Sequence, residues 1–431
     1  MDTIIALSTP PTLSAIAIIR LSGKESKDLV KEVFTGFNKE IKPRYMYYGI
    51  LDTGKIKDDC MCVYFTAPNS YTGEDMVEIN CHGSVAITES IIEYFLSKGA
   101  RLAEKGEFTK KAFINGKMDL TQSEAVIDLI NAQSEAQARS AYSQLSGSLY
   151  NRISEIQKQI VTAIAKIEVS LDYPEEEIEE TTKEESKQTI NYIKAQLLAL
   201  KNTYNSGKIL REGVKIAIVG KPNVGKSKIL NSLLGYERAI VTDIEGTTRD
   251  TLSESYQHKG IKFTVVDTAG IRKTDDTVEK IGVSLALKEA KECDVLLLVA
   301  EAGENFENIE TNAKVIYVEN KIDKLVAKNE NSVKISAINN QGIDNLKEVI
   351  YQTACKDVSV GESRINNLRH LSAVERALGF VQSALDNLEL VTLDLISSDL
   401  NLAYRALGNI TGITSEDEIV GEIFSKFCVG K

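Results

Sequence analysis

The sequence predicts a multidomain chain: an α+β N-terminal domain, an all-α helical domain in two parts, and an α/β domain inserted between those parts. Three observations predict it. Residues 1–118 mix short β-type apolar runs with turns. Residues 119–210 and 356–431 carry apolar stripes at steps of three and four. Residues 211–355 alternate apolar runs of strand length with helical stretches, as a mainly parallel sheet with helices on both faces requires.

In the first domain, the runs at 15–19, 61–65 and 76–79 read as strands, and a helix follows His82-Gly83 over 84–98. Thr121 with Glu124 reads as a capping box opening the next helix. Ile153, Ile156, Ile160, Ile164, Ile167 and Leu171 form one stripe; Ile190, Ile193, Leu197, Leu200 and Tyr204 form another. Both suit bundle helices. Between them Pro174 and the acidic run 172–180 read as a helix break with a solvated loop. Candidate strands of the inserted domain are 215–219, 263–266, 295–299, 315–318 and 333–335. Leu371, Val374, Leu378, Val381, Leu385 and Leu388 return the chain to helix, which is why the α/β unit reads as an insertion.

Lys and Arg number 51 against 62 Asp and Glu, a net charge of −11. This balance argues against a protein that coats nucleic acid non-specifically, and leaves room for a local basic face toward one structured RNA. Cys60, Cys62, Cys81, Cys293, Cys355 and Cys428 are scattered, as expected of a reducing cytoplasm, and a cytoplasmic protein is the expectation. The start MDTIIALSTPP lacks signal-peptide character, and no apolar run approaches the roughly 20 residues of a membrane helix. Cys81 and His82 are strand neighbours pointing to opposite faces, a poor metal pair.

The run GKPNVGKS at 220–227 matches GxxxxGK[ST], after one predicted strand and at the start of a helix. Backbone N–H groups of Asn223, Val224, Gly225, Lys226, Ser227 and Lys228 suit the cradling of phosphates. Lys226 is expected to reach the β- and γ-phosphates, and the Ser227 hydroxyl to ligate Mg2+. Downstream come Thr242, Asp243, Ile244, Glu245, Gly246, Thr247 and Thr248, supplying a threonine that senses the γ-phosphate and Mg2+. Asp267, Thr268, Ala269 and Gly270 end a strand; Asp267 suits the outer Mg2+ shell and the Gly270 N–H the γ-phosphate. In the run NKID, Asn320 and Lys321 precede Asp323, whose carboxylate accepts guanine N1–H and the 2-amino group. Adenine offers neither, and a buried acceptor left unpaired costs about 1–3 kcal/mol or more. Ser336, Ala337 and Ile338 follow a further strand and suit a backbone contact to guanine O6. In this order the segments predict a Ras-like P-loop GTPase domain that binds GTP and GDP.

Many small GTPases place a glutamine after the DxxG glycine to orient the attacking water. Here that position is Ile271, which offers no hydrogen bond. Hydrolysis must draw on Glu279, Arg249, Arg272, a bound cation or a partner subunit.

The runs at 220–227, 243–250 and 267–272 resemble the potassium-dependent TrmE–Era–EngA group of GTPases. The flanks narrow this: TGEDMVEINCHG at 72–83, GEFTKKAFINGK at 106–117 and the terminal CVGK resemble the MnmE (TrmE) family over essentially the whole chain. The resemblance implies K+-dependent GTP hydrolysis coupled to tRNA modification. An FAD-containing partner of the MnmG (GidA) type would share the task, and the target is C5 of the wobble uridine in certain tRNAs. The group added is aminomethyl or carboxymethylaminomethyl, its carbon drawn from 5-formyl- or 5,10-methylene-tetrahydrofolate. It further implies a homodimer, a heterotetramer with the flavoprotein, and no membrane. Residues 1–118 would bind folate and dimerise, and 211–355 would be the G domain.

Carried over by position, the K+ ligands are Asn223, Thr242, Ile244 and Thr247. Thr248 joins Ser227 on Mg2+. Glu279 orients the catalytic water beside Lys226 and Thr248, with Arg249 a secondary candidate. The folate residues are Arg20, Glu78, Lys117 and Lys431. Cys428 is either a nucleophile or, the favoured reading, a small apolar residue near a buried helix end. Glu245, Lys228, Ser84 and the short gap between Asn320 and Ser336 depart from the family pattern. The alternative reading is a regulatory GTPase switch in ribosome or RNA assembly.

Overall fold

The computed structural model describes residues 2–38, 40–172, 176–235, 253–266, 293–356, 358, 363–388, 390, 392–414 and 417–431. Elements are numbered over these residues. The first helices are α1 (Ser26–Lys31), α2 (Val85–Ser97), α3 (Glu107–Ile114), α4 (Leu120–Ile130), α5 (Glu135–Leu145), α6 (Ser148–Asp172) and α7 (Glu176–Asn202). Then come α8 (Tyr204–Glu212), α9 (Lys226–Leu234), α10 (Ile343–Cys355), α11 (Leu368–Asn387), α12 (Leu393–Thr411) and α13 (Asp417–Ser425). The chain forms two compact units, residues 1–127, 144–194 and 376–431, and residues 128–143 and 195–375.

The first unit carries a six-stranded sheet of β1 (Ile4–Leu7), β2 (Ser14–Ser22), β3 (Met46–Asp52), β4 (Lys57–Phe65), β5 (Met76–Gly83) and β6 (Arg101–Leu102). The order is β3-β4-β5-β2-β1-β6, antiparallel except for β1 with β6. Alternation sets its faces: β4 buries Asp58, Cys60, Cys62 and Tyr64 and exposes the residues between or leaves them half-buried. Cys81 is buried and His82 exposed, as strand neighbours must be. Phe34, Phe37, Ile19, Leu21, Ile79 and Phe95, each at most 2% exposed, form the core beneath α1 and α2. Each such side chain contributes about 1.5–3 kcal/mol. The register pairs Arg20 with Glu78 across β2 and β5.

The helices correct several expectations. The cap of α4 is Asp119, not Thr121. Asp119 Oδ1 accepts the N–H groups of Thr121 (2.7 Å) and Gln122 (3.2 Å), and Gln122 Oε1 accepts the Asp119 N–H (3.0 Å). A carboxylate and a glutamine serve the same reciprocal geometry two residues earlier. The acidic residues 176–180 are not loop but the first turns of α7. Glutamate forms helix well, and negative charge is favoured at a helix N-terminus; residues 173–175 lie outside the described set. On α6, Ile153, Ile156, Ile160 and Ile167 are buried, whereas Leu171 is 38% exposed. On α11 the buried stripe is Ala373, Val374, Ala377, Val381 and Ala384, continued just past its end by Leu388; Leu371, Leu378 and Leu385 are half-buried flanks. Small residues there occupy the most confined positions. α6 packs along α12, where Gln157 Nε2 donates to the Tyr404 carbonyl (3.1 Å).

The second unit contains β7 (Val214–Val219), β8 (Ser253–His258), β9 (Ile261–Val266), β10 (Val295–Glu301), β11 (Lys314–Asn320) and β12 (Val333–Lys334). The order is β12-β11-β10-β7-β9-β8, parallel except for the β8–β9 hairpin. β8 escaped the sequence reading because SESYQH has no apolar run. Its signal is the turn: Lys259 and Gly260 both have positive φ, +50° and +77°, as a two-residue hairpin requires. α8 enters this unit on ion pairs, Arg211 to Asp128 (3.0 Å) and Lys208 to Asp294 (3.2 Å). The fold is therefore α+β, all-α and α/β in turn, as expected.

Candidate nucleotide-binding site

β7 lies where the strand order reverses, with β10 on one side and β9 on the other, so the loop after it opens at the crevice of the sheet. Residues 220–225 form that loop and α9 begins at Lys226. A Cβ on Gly220 would lie 2.1 Å from the Val299 carbonyl oxygen, so only glycine lets the loop pass β10. Gly225 caps α9 at φ +98°, and a Cβ there would meet Asn320 Nδ2 at 2.4 Å. Asn223, at φ +65°, takes a left-handed conformation that asparagine tolerates. Such turns aim successive N–H groups into one concavity. Val224 is 2% exposed and anchors the loop. Lys226 Nζ curls back to the carbonyls of Gly220 (2.6 Å) and Lys221 (2.9 Å), holding a cation over the loop. Ser227 and Lys228 are exposed in the first turn of α9.

The base motif closes on this loop through one side chain. Asn320, 3% exposed at the end of β11, donates from Nδ2 to the Val224 carbonyl (2.8 Å). Its Oδ1 accepts the Ala337 N–H (3.1 Å), so that N–H holds the loop together instead of standing open. Ser232 Oγ on α9 donates to the Ala337 carbonyl (3.0 Å). Buried Ser336 donates from Oγ to Asp323 Oδ1 (2.6 Å). That bond, aided by Lys324 and Lys228, holds the Asp323 carboxyl below its ordinary pKa, fixing an exposed carboxylate as an acceptor. Lys321, at φ +66°, pairs its ammonium with Glu301, and Ile338 is 54% exposed. Phosphate loop, base carboxylate and exposed apolar side chain thus share one rim. Thr242, Asp243, Ile244, Glu245, Gly246, Thr247, Thr248, Arg249, Asp267, Thr268, Ala269, Gly270 and Glu279 lie outside the described residues.

A second cluster lies on the first unit. Arg20 donates from Nε (2.9 Å) and Nη2 (2.7 Å) to Glu78 Oε1, and from Nη1 to the Gly430 carbonyl (3.3 Å). Its guanidinium lies over the rings of Tyr71 (5.4 Å) and Phe108 (5.6 Å), neither of which the sequence suggested. The C-terminal tail reaches this place on backbone contacts: Gly106 N–H to the Cys428 carbonyl (3.3 Å), and Ser8 Oγ to the Gly430 carbonyl (3.2 Å). A Cβ on Gly430 would meet the Leu7 carbonyl oxygen at 2.4 Å. Lys431 is thereby half-buried, and burial, then the Arg20 charge, push its pKa down. Lys117 instead donates to the Pro68 carbonyl (3.0 Å). Cys428 is exposed, against the expectation of burial, because it lies beyond α13 on this docked tail.

The central phosphate loop, the NKID carboxylate and the five-strand parallel order define a Ras-like P-loop domain of the GTPase class. A family model described as the GTP-binding protein TrmE N-terminus matches residues 3–117, and one for the MnmE helical domain matches 120–428. A protein named tRNA modification GTPase MnmE from Streptococcus mutans is 42% identical over 449 residues, covering 100% of this chain and 99% of its own. One of the same name from Carboxydothermus hydrogenoformans is 44% identical over 458 residues, with the same coverage. A crystal structure of Aquifex aeolicus Era bound to GDP.AlF4− is 28% identical, covering 39% of this chain and 66% of its own, at a TM-score of 0.26. The chain belongs to the MnmE family. No helix of the described residues is long and apolar enough to cross a membrane.

Proposed function

We propose that this chain binds and hydrolyses GTP and, with an FAD-containing partner, modifies C5 of the wobble uridine of certain tRNAs. Two relatives matched along their whole length carry the name tRNA modification GTPase. The observation that carries the nucleotide half is the Asn320 clip, which ties the Val224 carbonyl of the phosphate loop to the Ala337 N–H of the base loop. A ligand spanning both loops needs them in fixed register.

In this reading the N–H groups of 223–228 bind the phosphates and Lys226 turns from its carbonyls to the β- and γ-oxygens. The exposed Ser227 hydroxyl, with Thr248, would hold Mg2+, which supplies charge neutralisation at the phosphates. Asn223, with Thr242, Ile244 and Thr247, would hold K+ against the charge that develops on cleavage. Glu279 orients the water. Asp323 takes guanine N1–H and the 2-amino group. Residues 211–355 act as the G domain between helical parts 119–210 and 356–431, and 1–118 serve dimerisation and folate binding.

The folate site fits the second cluster. The Glu78 carboxylate accepts paired N–H donors of a pterin, while Arg20 and half-buried Lys431 meet carbonyl or anionic groups. A reduced folate there supplies the one-carbon unit.

The test is tRNA mass spectrometry from a deletion strain. Loss of the C5 modification at wobble uridines is expected. Unchanged uridines would overturn the assignment, and a ribosomal-subunit defect in their place would favour an assembly switch.

A further inference from the structure

Glu319 is the last residue but one of β11, immediately before the base motif, and it is fully buried. A buried carboxylate is costly unless its oxygens are hydrogen-bonded. Here they are, and by groups from two separate loops. The Gly303 N–H (2.9 Å) and the Lys328 N–H (3.1 Å) bond to Oε1, and the Asn329 N–H (3.2 Å) and Ser332 hydroxyl bond to Oε2. Burial works against the charge, yet these donors outweigh it and the pKa lies below the ordinary carboxylate range. Three of the four donors belong to residues 321–332, the segment that carries Lys321 and Asp323. The fourth, Gly303, follows Glu301, the partner of Lys321. The two loops also touch directly: a Cβ on Gly303 would lie 3.1 Å from the Val326 carbonyl oxygen.

We propose that Glu319 is a positioning residue for guanine recognition: its carboxylate gathers the loops after β10 and β11 and so sets where Lys321 and Asp323 stand. It touches no nucleotide. It acts on the base end alone, since the phosphate loop is held by Asn320 and by its own glycines. This deepens the proposed GTP site and rests on that reading.

The experiment measures GDP and IDP affinities of the full chain by calorimetry, wild type against Glu319→Gln. Inosine lacks the 2-amino group that Asp323 accepts, so the IDP-to-GDP ratio of Kd values reports the placement of Asp323. An amide presents a donor where the Asn329 N–H and Ser332 hydroxyl need an acceptor, and the loop must shift. The ratio is expected to fall by roughly tenfold, the scale of a lost charge-assisted bond. Partial unfolding alone lowers both affinities in proportion and leaves the ratio unchanged. Should Glu319→Gln not fold, Ser332→Ala, which removes one donor, should lower the ratio by a smaller factor. A ratio within twofold of wild type in a folded variant overturns the inference. A wild type that binds neither nucleotide overturns the GTP reading itself; one that binds both equally overturns the contact of Asp323 with the 2-amino group, and the inference falls with either.

Discussion

Asn320→Ala tests the central joint of the nucleotide site. The substitution removes both bonds of the side chain, to the Val224 carbonyl at 2.8 Å and from the Ala337 N–H at 3.1 Å. Val224 is 2% exposed and Ala337 7%, so water does not readily replace the lost partners. A buried polar group left unpaired costs about 1–3 kcal/mol, and two of them about 2–6 kcal/mol. In the free protein the two loops can separate and hydrate these groups. A nucleotide that spans both loops forces them back, so much of the cost falls on binding. At 1.4 kcal/mol per decade, the low end of about 2 kcal/mol raises the Kd for GDP about thirtyfold where all of it falls on binding. Calorimetry with GDP, paired with thermal unfolding without nucleotide, separates the two contributions. A Kd within threefold of wild type, at unchanged thermal stability, would refute the claim that this side chain couples the loops.

Asp323→Asn should weaken GDP and improve XDP, because the amide donates where xanthine offers a carbonyl; competition calorimetry reads this, and unchanged GDP binding would reject the base assignment. Glu78→Gln removes the carboxylate that Arg20 grips and is expected to weaken a reduced formyl-folate at least about tenfold. GDP affinity should not move, since the nucleotide residues belong to the other unit; calorimetry with each ligand checks both. Glu348 accepts from Gln352, Lys259 and His258, which bring its pKa down to about 2. A depressed carboxylate contributes stability that is full above its ordinary value near 4.5 and is lost as pH falls toward 2. Thermal unfolding of wild type should therefore converge on that of Glu348→Gln across this acid range, and a constant difference between them would refute the linkage.

What the sequence showed and what it hid divide along a physical line. Gly220 and Gly225 are legible because the backbone they permit admits no other side chain, and a pattern of eight residues records it. NKID is legible because its acceptor must match a purine edge. Glu319 was not: by type and position it reads as one more surface carboxylate among 62 acidic residues. Its donors at 303, 328, 329 and 332 come together only when β10, β11 and β12 pair in parallel. The same holds for the tail, where Cys428 reads as part of a buried helix end until Gly430 docks on Leu7 and Arg20. It holds also for α11, where alanines at 373, 377 and 384 carry the burial that leucines seemed to claim. The short gap between Asn320 and Ser336 looked like a trimmed loop. In the fold it is a loop tied by two of its backbone N–H groups, at Lys328 and Asn329, and by the Ser332 hydroxyl to one buried carboxylate. A longer insertion there would have to keep Lys328, Asn329 and Ser332 within reach of Glu319, or leave a buried charge without partners, at a cost of about 1–3 kcal/mol or more for each donor lost. The length of the loop and the identity of the residue before Asn320 are therefore one constraint.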